Sequence, residues 1–192
     1  MENGLRFHVD WLRGQKTGFF VDQRDNRALL ERYAKGRRVL NMFCYTGGFS
    51  FYAMRGGASV VHSVDSSAKA IELTRSNVEL NFPDDQRHQA YCEDAFRFLE
   101  HVRRPDSPDH GQGYDLVILD PPAFAKHRGA LHNALKGYIR LNAEALSQME
   151  PGSLLFTFSC SQVVTKDHFR AALFTAAAQA GREVSVLHQL HQ

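Results

Sequence analysis

The sequence predicts an α/β domain built on a largely parallel sheet. Short apolar runs bounded by breakers recur along the chain, and helical stretches separate them. At 192 residues and 43% hydrophobic content, the chain has apolar material for one sizeable core and is too short for two ordinary domains. Strands separated by helices are joined by right-handed crossovers, which leave neighbouring strands parallel.

In chain order, residues 5–21 alternate apolar and polar side chains (Leu5, Phe7, Val9, Trp11) around a turn near Arg13-Gly14-Gln15, the pattern of a short β-hairpin. A helix is expected from near Asp25, whose carboxylate can cap the free amides, to Gly36. Strands are expected at 38–41, 59–65, 88–92, 114–120, 154–159 and 183–190, mostly apolar runs suited to burial on both faces. Helices are expected between them at 49–55, 67–81, 95–102, 132–148 and 166–180. The stretch 103–111, dense in Pro, Asp and Gly, reads as a surface loop. Residues 1–24 form a hairpin and rim segment, and residues 25–192 the α/β domain. The chain is expected to stop after its sixth core strand, one short of the usual complement.

Composition narrows the function. No run approaches the roughly 18 apolar residues of a membrane span and the N-terminus lacks a signal-peptide pattern, so a cytoplasmic location is expected. Cys44, Cys92 and Cys160 are odd in number and in no CxxC pair, and the ten histidines show no ligand spacing; disulfide and metal frameworks are not expected. Net charge is +2, although residues 1–38 hold nine Lys/Arg against five Asp/Glu. Charge alone leaves the substrate open.

In parallel α/β sheets the ligand site lies beyond the carboxyl ends of the strands. After the first strand comes Asn41-Met42-Phe43-Cys44-Tyr45-Thr46-Gly47-Gly48-Phe49-Ser50, where two glycines permit close backbone approach and the next helix offers free amides. This loop can hold a cofactor carboxylate, with Phe43, Tyr45, Thr46 and Gly47 as candidate contacts. It can also be a tight turn with no ligand. Asp65 and Ser66 end the second strand, where an acid can accept from two ribose hydroxyls or cap a helix. After the third strand Asp94, with Ala95 and Phe96, can address an adenine or cap the next helix. A dehydrogenase would prefer a tighter G-x-G-x-x-G loop.

The fourth strand ends in Asp120-Pro121-Pro122-Ala123-Phe124. Two prolines hold the carboxylate in a rigid exit turn, where Asp120 can face the polar edge of a base and Phe124 its ring. The fifth strand ends in Thr157-Phe158-Ser159-Cys160-Ser161-Gln162, which brings Cys160 to the same rim, near a helix start around Thr165 and near Lys126. A thiol there can act as a nucleophile. Cys44 and Cys92 are read as packing residues.

With Glu2-Asn3-Gly4-Leu5, Lys16-Thr17-Gly18-Phe19-Phe20-Val21-Asp22-Gln23-Arg24, the Tyr45–Phe49 loop, the Asp120 turn and Phe158-Ser159-Cys160-Ser161 together, the chain resembles the catalytic domain of PUA-containing large-subunit ribosomal RNA cytosine-5 methyltransferases. The resemblance implies a Rossmann-like class I methyltransferase fold, S-adenosylmethionine as cofactor with S-adenosylhomocysteine as by-product, and ribosomal RNA as partner. It also implies that Asp22, Gln23 and Arg24 help form the cofactor and substrate rim, while Asp120 serves both substrate and cofactor. It admits a homodimer. A preceding PUA domain and the last strand are expected to be absent. Similar enzymes acting on guanine N7 are expected to carry Asn where this chain has Cys160, which favours cytosine. The competing readings are methyl transfer to guanine N7 or an exocyclic amine, and a non-catalytic RNA- or nucleotide-binding module.

Overall fold

A computed structural model describes residues 1–12, 18–104, 106, 113–125 and 127–190. The expected hairpin turn at Arg13-Gly14-Gln15, most of the breaker-rich 103–111 loop, and Lys126 lie outside the described residues. The chain falls into two compact units, Met1–Ala95 with the last residues from Leu190, and Phe96–Gln189.

The first unit holds α1 (Arg24–Tyr33), β1 (Arg38–Met42), α2 (Gly48–Arg55), β2 (Val60–Asp65), α3 (Ala68–Asn81) and β3 (His88–Cys92). β1 pairs β2 in parallel, with Arg38 opposite Val60 and Met42 opposite Val64; β2 pairs β3 in parallel from Val61–His88 to Asp65–Cys92. Val39, Leu40, Met42, Val61 and Val64 are buried, as runs covered on both faces should be. β3 departs from that expectation, because its residues are only half-buried or exposed. It has a polar sequence and one strand partner within this unit. Asp25 does not cap α1: the N-cap is Gln23, with no side-chain cap bond, and Asp25 sits inside the first turn, where its charge complements the helix dipole instead.

The expected N-terminal hairpin is not formed by the described residues. One isolated antiparallel bridge joins Glu2 and Leu5, and residues 6–10 are not assigned to a strand. Helix α3 supplies the hydrogen bonds a sister strand would have given. Asn81 Oδ1 accepts from the Arg6 amide at 2.8 Å and Asn81 Nδ2 donates to the Arg6 carbonyl at 2.8 Å; Asn77 treats His8 in the same way, at 2.6 and 3.3 Å. Two carboxamides four residues apart on one helix face thus satisfy alternate residues of this segment. The alternation holds for the first two of its apolar positions: Leu5 is buried and Phe7 packs against Phe19 and Phe51 with ring centroids 4.6 and 5.6 Å apart, while Val9 and Trp11 are exposed.

The second unit holds α4 (Ala95–Arg103, its first residue in the first unit), β4 (Tyr114–Leu119), α5 (Leu131–Leu146), β5 (Met149–Thr157) and α6 (Lys166–Gln179). β4 and β5 pair in parallel, from Leu116–Leu154 to Leu119–Thr157, with a register shift near Tyr114. β5 begins five residues earlier than the apolar run at 154–159 suggests, with a buried Met149 followed by the exposed Glu150-Pro151-Gly152. The Thr165 hydroxyl caps α6 by accepting the His168 amide at 3.2 Å.

The sixth strand expected at 183–190 is not formed. The segment is irregular and Val184, Val186 and Leu187 are exposed. Alternating apolar residues make a strand only when another backbone completes the ladder, and none does so among the described residues. No helix among the described residues is long and apolar enough to cross a membrane.

Candidate cofactor loop and active-site turn

The loop after β1 is unusual in its backbone. Phe43, Tyr45 and Gly47 all have positive φ, at 58°, 49° and 83°. Two non-glycine residues in the left-handed region cost free energy and persist only where the surroundings over-determine them, which is characteristic of ligand-binding turns. The supports are visible. The Cys44 amide donates to the Val64 carbonyl at 3.1 Å, the Tyr45 amide to Asp65 Oδ2 at 3.0 Å, and the Thr74 hydroxyl to the Tyr45 carbonyl at 2.9 Å. Gly47 serves packing as well as φ: a Cβ there would sit 2.5 Å from Phe51 Cζ and 2.8 Å from Thr74 Cγ2.

Asp65 ends β2 half-buried, with both carboxylate oxygens anchored by backbone amides, Oδ2 by Tyr45 and Oδ1 by Ser67 at 2.9 Å. Each oxygen retains acceptor capacity beyond the one bond it makes. Below the loop a buried polar chain runs from Asn41 Nδ2 to Ser50 Oγ (2.9 Å), on to Ser63 Oγ (2.7 Å) and to His88 Nε2 (2.8 Å), joining β1, α2, β2 and β3. Burial first, then the charges of His62 and Arg75, lowers the His88 pKa to about 4, so the ring is neutral in this chain.

Of the other expected cofactor residues, Thr46 is buried and Tyr45 and Phe43 are half-buried. Ser66 is exposed, Asp94 is exposed just before α4, and Ala95 is buried as its first residue. Gln23 is buried and its Oε1 accepts from Asn26 Nδ2 at 2.6 Å, while Arg24 is exposed with Asp25 3.6 Å away. Burial pushes the Cys44 thiol well above its ordinary range, and the Asp65 charge adds to the effect; Cys44 is a packing residue with no nucleophilic form near neutrality. Cys92, also expected to pack, is exposed instead at the end of β3, its thiol 3.7 Å from the Ser66 carbonyl.

Composition and spacing gave no sign of the ion pair behind the loop. Arg27 and Glu2 have side chains only 3% and 9% exposed, and Glu2 accepts from Arg27 Nε (2.9 Å), Arg27 Nη2 (2.8 Å) and Tyr52 Oη (2.9 Å). Arg27 also donates to the Phe20 carbonyl at 3.0 Å and stacks on the Phe19 ring at 4.7 Å. A Cβ on Gly48 would lie 3.2 Å from Arg27 Cδ, so the second glycine makes room for this arginine.

In the second unit, Asp120 directly follows β4 and is half-buried; Pro121 is buried and Phe124 half-buried. Cys160 follows β5, is exposed, and its thiol donates to the Pro121 carbonyl at 3.6 Å. The two exit turns therefore meet, as the shared-rim expectation requires. Phe124 lies against Tyr138 of α5, ring centroids 4.6 Å apart. Phe96 carries the Arg140 guanidinium over its ring at 4.5 Å. The packing of Tyr138 against Phe124 went unread; the signal available was Gly137 inside a helical pattern, which marks close approach by another group. Among the described residues no cluster of His, Cys, Asp or Glu could hold a metal ion.

Comparison with solved structures places the fold in the Rossmann-like methyltransferase class. A structure from Streptococcus mutans, assigned as a SAM-dependent methyltransferase, is 30% identical and superposes with a TM-score of 0.80 over 92% of this chain and 45% of its own. Another, complexed with S-adenosylhomocysteine, is 31% identical with a TM-score of 0.80 and the same coverage. The sequence profile of the S-adenosylmethionine-dependent methyltransferases matches residues 1–188, and the chain belongs to that family. Among curated relatives, proteins named ribosomal RNA large subunit methyltransferase I from Shewanella denitrificans and Tolumonas auensis are 42% and 44% identical over 100% and 99% of this chain. The chain spans about half the length of the curated relatives it matches, 47% in both cases. Its cofactor is S-adenosylmethionine, and the residues present fit it: a fixed, half-buried carboxylate with two acceptor oxygens suits the ribose diol of a nucleoside.

Proposed function

We propose that this chain is the catalytic part of an enzyme that methylates C5 of a cytosine in large-subunit ribosomal RNA through a covalent bond to Cys160. The observation that carries the reading is the Cys160 thiol, exposed beyond β5 and hydrogen-bonded to the Pro121 carbonyl, one residue from Asp120. The names of the curated relatives support ribosomal RNA as the substrate.

C5 of cytosine is a poor nucleophile, so the chemistry begins with activation of the base. Cys160 gives its proton to water and the thiolate sulfur adds to C6 of a flipped cytosine; the C5–C6 double bond opens and electron density moves to C5. Asp120, held by the two prolines that follow it, accepts from the N4 amino group or delivers a proton to N3 as charge spreads over the ring. Bound S-adenosylmethionine supplies the methyl group that C5 accepts, with Asp65 and the Tyr45–Gly47 loop as its holders. Loss of the C5 proton to water, return of the N3 proton to Asp120 and departure of the Cys160 sulfur from C6 restore the aromatic ring; the expelled thiolate regains a proton from water. Guanine N7 already carries a lone pair and needs no such adduct.

The test is Cys160→Ser. Turnover is expected to vanish while S-adenosylmethionine affinity stays within about twofold, since the residue is asked to act only in the chemical step. Retained methylation, or nucleoside mass spectrometry that puts the methyl group on a nitrogen, would overturn the reading.

A further inference from the structure

Tyr138 has no exposed surface and takes no part in the chemistry above. Its hydroxyl is 3.0 Å from Ser159 Oγ and 3.0 Å from Ser161 Oγ, the two serines that flank Cys160. Ser159 donates to the tyrosine oxygen, and between Tyr138 and Ser161 either hydroxyl can donate. Ser161 Oγ also accepts the Ala125 amide at 3.3 Å, and the Ser161 amide returns to Ser159 Oγ at 3.4 Å. A ring of hydrogen bonds centred on one phenol thus surrounds the backbone of Cys160 and ties it to the residue after Phe124.

The aromatic ring of Tyr138 has a second task. It lies 4.6 Å from the Phe124 ring at 34°, and Phe169 meets it edge-on at 5.2 Å. A Cβ on Gly137 would come 2.9 Å from Phe124 Cδ2, so glycine at that position lets the Phe124 ring lie down on α5. A tyrosine that only filled the core would have no use for its hydroxyl, because burying one costs free energy unless it is bonded. Here the bonds go to the residues on either side of the thiol.

We propose that Tyr138 is the positioning residue of the active site, setting Cys160 through its hydroxyl and Phe124 through its ring, so that sulfur and aromatic wall address the same base. The inference rests on the reading of Cys160 as the nucleophile. A loose nucleophile costs rate rather than cofactor affinity: displacement by about 1 Å is worth about 100-fold.

The test uses full-length protein and large-subunit ribosomal RNA transcribed with 5-fluorocytidine in place of cytidine. Fluorine at C5 cannot leave as the proton does, so the Cys160 adduct persists and runs as a retarded band on a denaturing gel. Tyr138→Phe keeps the ring and removes the hydroxyl. It is expected to form the adduct about 10- to 100-fold more slowly, with S-adenosylmethionine affinity within about twofold of wild type. Adding Ser159→Ala to it should slow the adduct little further, because both changes break the same hydrogen bond. Trapping at the wild-type rate would overturn the role of Tyr138 while leaving Cys160 as the nucleophile. Loss of cofactor affinity and thermal stability together with rate would reduce Tyr138 to a core residue and overturn it as well. Absence of trapping in a wild-type protein that methylates ordinary RNA would overturn both readings.

Discussion

Replacement of Glu2 by alanine should be among the most damaging single changes near the N-terminus, although the residue is second in the chain. Its carboxylate takes three hydrogen bonds, two from Arg27 and one from Tyr52, and both partners of the ion pair are nearly inaccessible to water. Without Glu2 the guanidinium stays buried and keeps only part of its compensation, the Phe20 carbonyl and the faces of Phe19 and Tyr52 at 4.7 and 6.0 Å. Breaking one side of a buried pair costs about 3–5 kcal/mol, and the surviving carbonyl and ring contacts put this case near the lower end. For a chain of this size about 3 kcal/mol corresponds to a fall of about 6–12 °C in Tm. Urea unfolding followed by circular dichroism, together with a thermal melt, measures both quantities. The double variant Glu2→Leu/Arg27→Met, which removes the pair and nearly keeps the volume, should recover more than half of the loss, since apolar isosteres replace buried pairs at little cost. A Glu2→Ala protein within about 1 kcal/mol of wild type, or a double variant no better than the single, would refute the reasoning.

Two further expectations follow from the first unit. Asp65→Ala should weaken S-adenosylmethionine binding by about 100-fold or more in calorimetric titration, since it removes two charged acceptors and the anchors of Tyr45 and Ser67; undiminished affinity would move the nucleoside site elsewhere. His88 has a pKa of about 4 in the fold against 6.5 ordinarily, so it is neutral when folded and takes up a proton when the chain unfolds in mild acid. Its contribution, about 3 kcal/mol at most, is therefore complete above pH 6.5 and is lost as pH falls from there through about 4. His88→Gln should flatten the pH dependence of the urea midpoint in that window, and an unchanged slope would assign the acid sensitivity to other groups.

Much of the fold was legible in the chain because burial leaves a periodic trace. β1, β2 and β4 lie within one residue of the apolar runs that announced them, β3 matches its expected bounds despite a polar sequence, and the glycine loop, Asp65 and the Asp-Pro-Pro turn fall at strand ends, where parallel sheets place their ligands. Periodicity records which residues are covered and is silent about what covers them. The alternation around Phe7 suggested a hairpin, and among the described residues the backbones of Arg6 and His8 are met by two asparagine side chains of α3. The run at 183–190 has a strand's alternation and no strand to pair with among the described residues. The same limit hid Arg27 and Tyr138. A buried cation is tolerable only where a distant carboxylate meets it, and a buried phenol only where distant hydroxyls do; Glu2 lies 25 residues from Arg27, and Ser159 lies 21 from Tyr138. Local sequence determined the strands, the loops and the chemistry at their ends. Tertiary structure alone decided which polar groups answer one another, because hydrogen bonds depend on ångström-scale proximity that chain spacing does not encode.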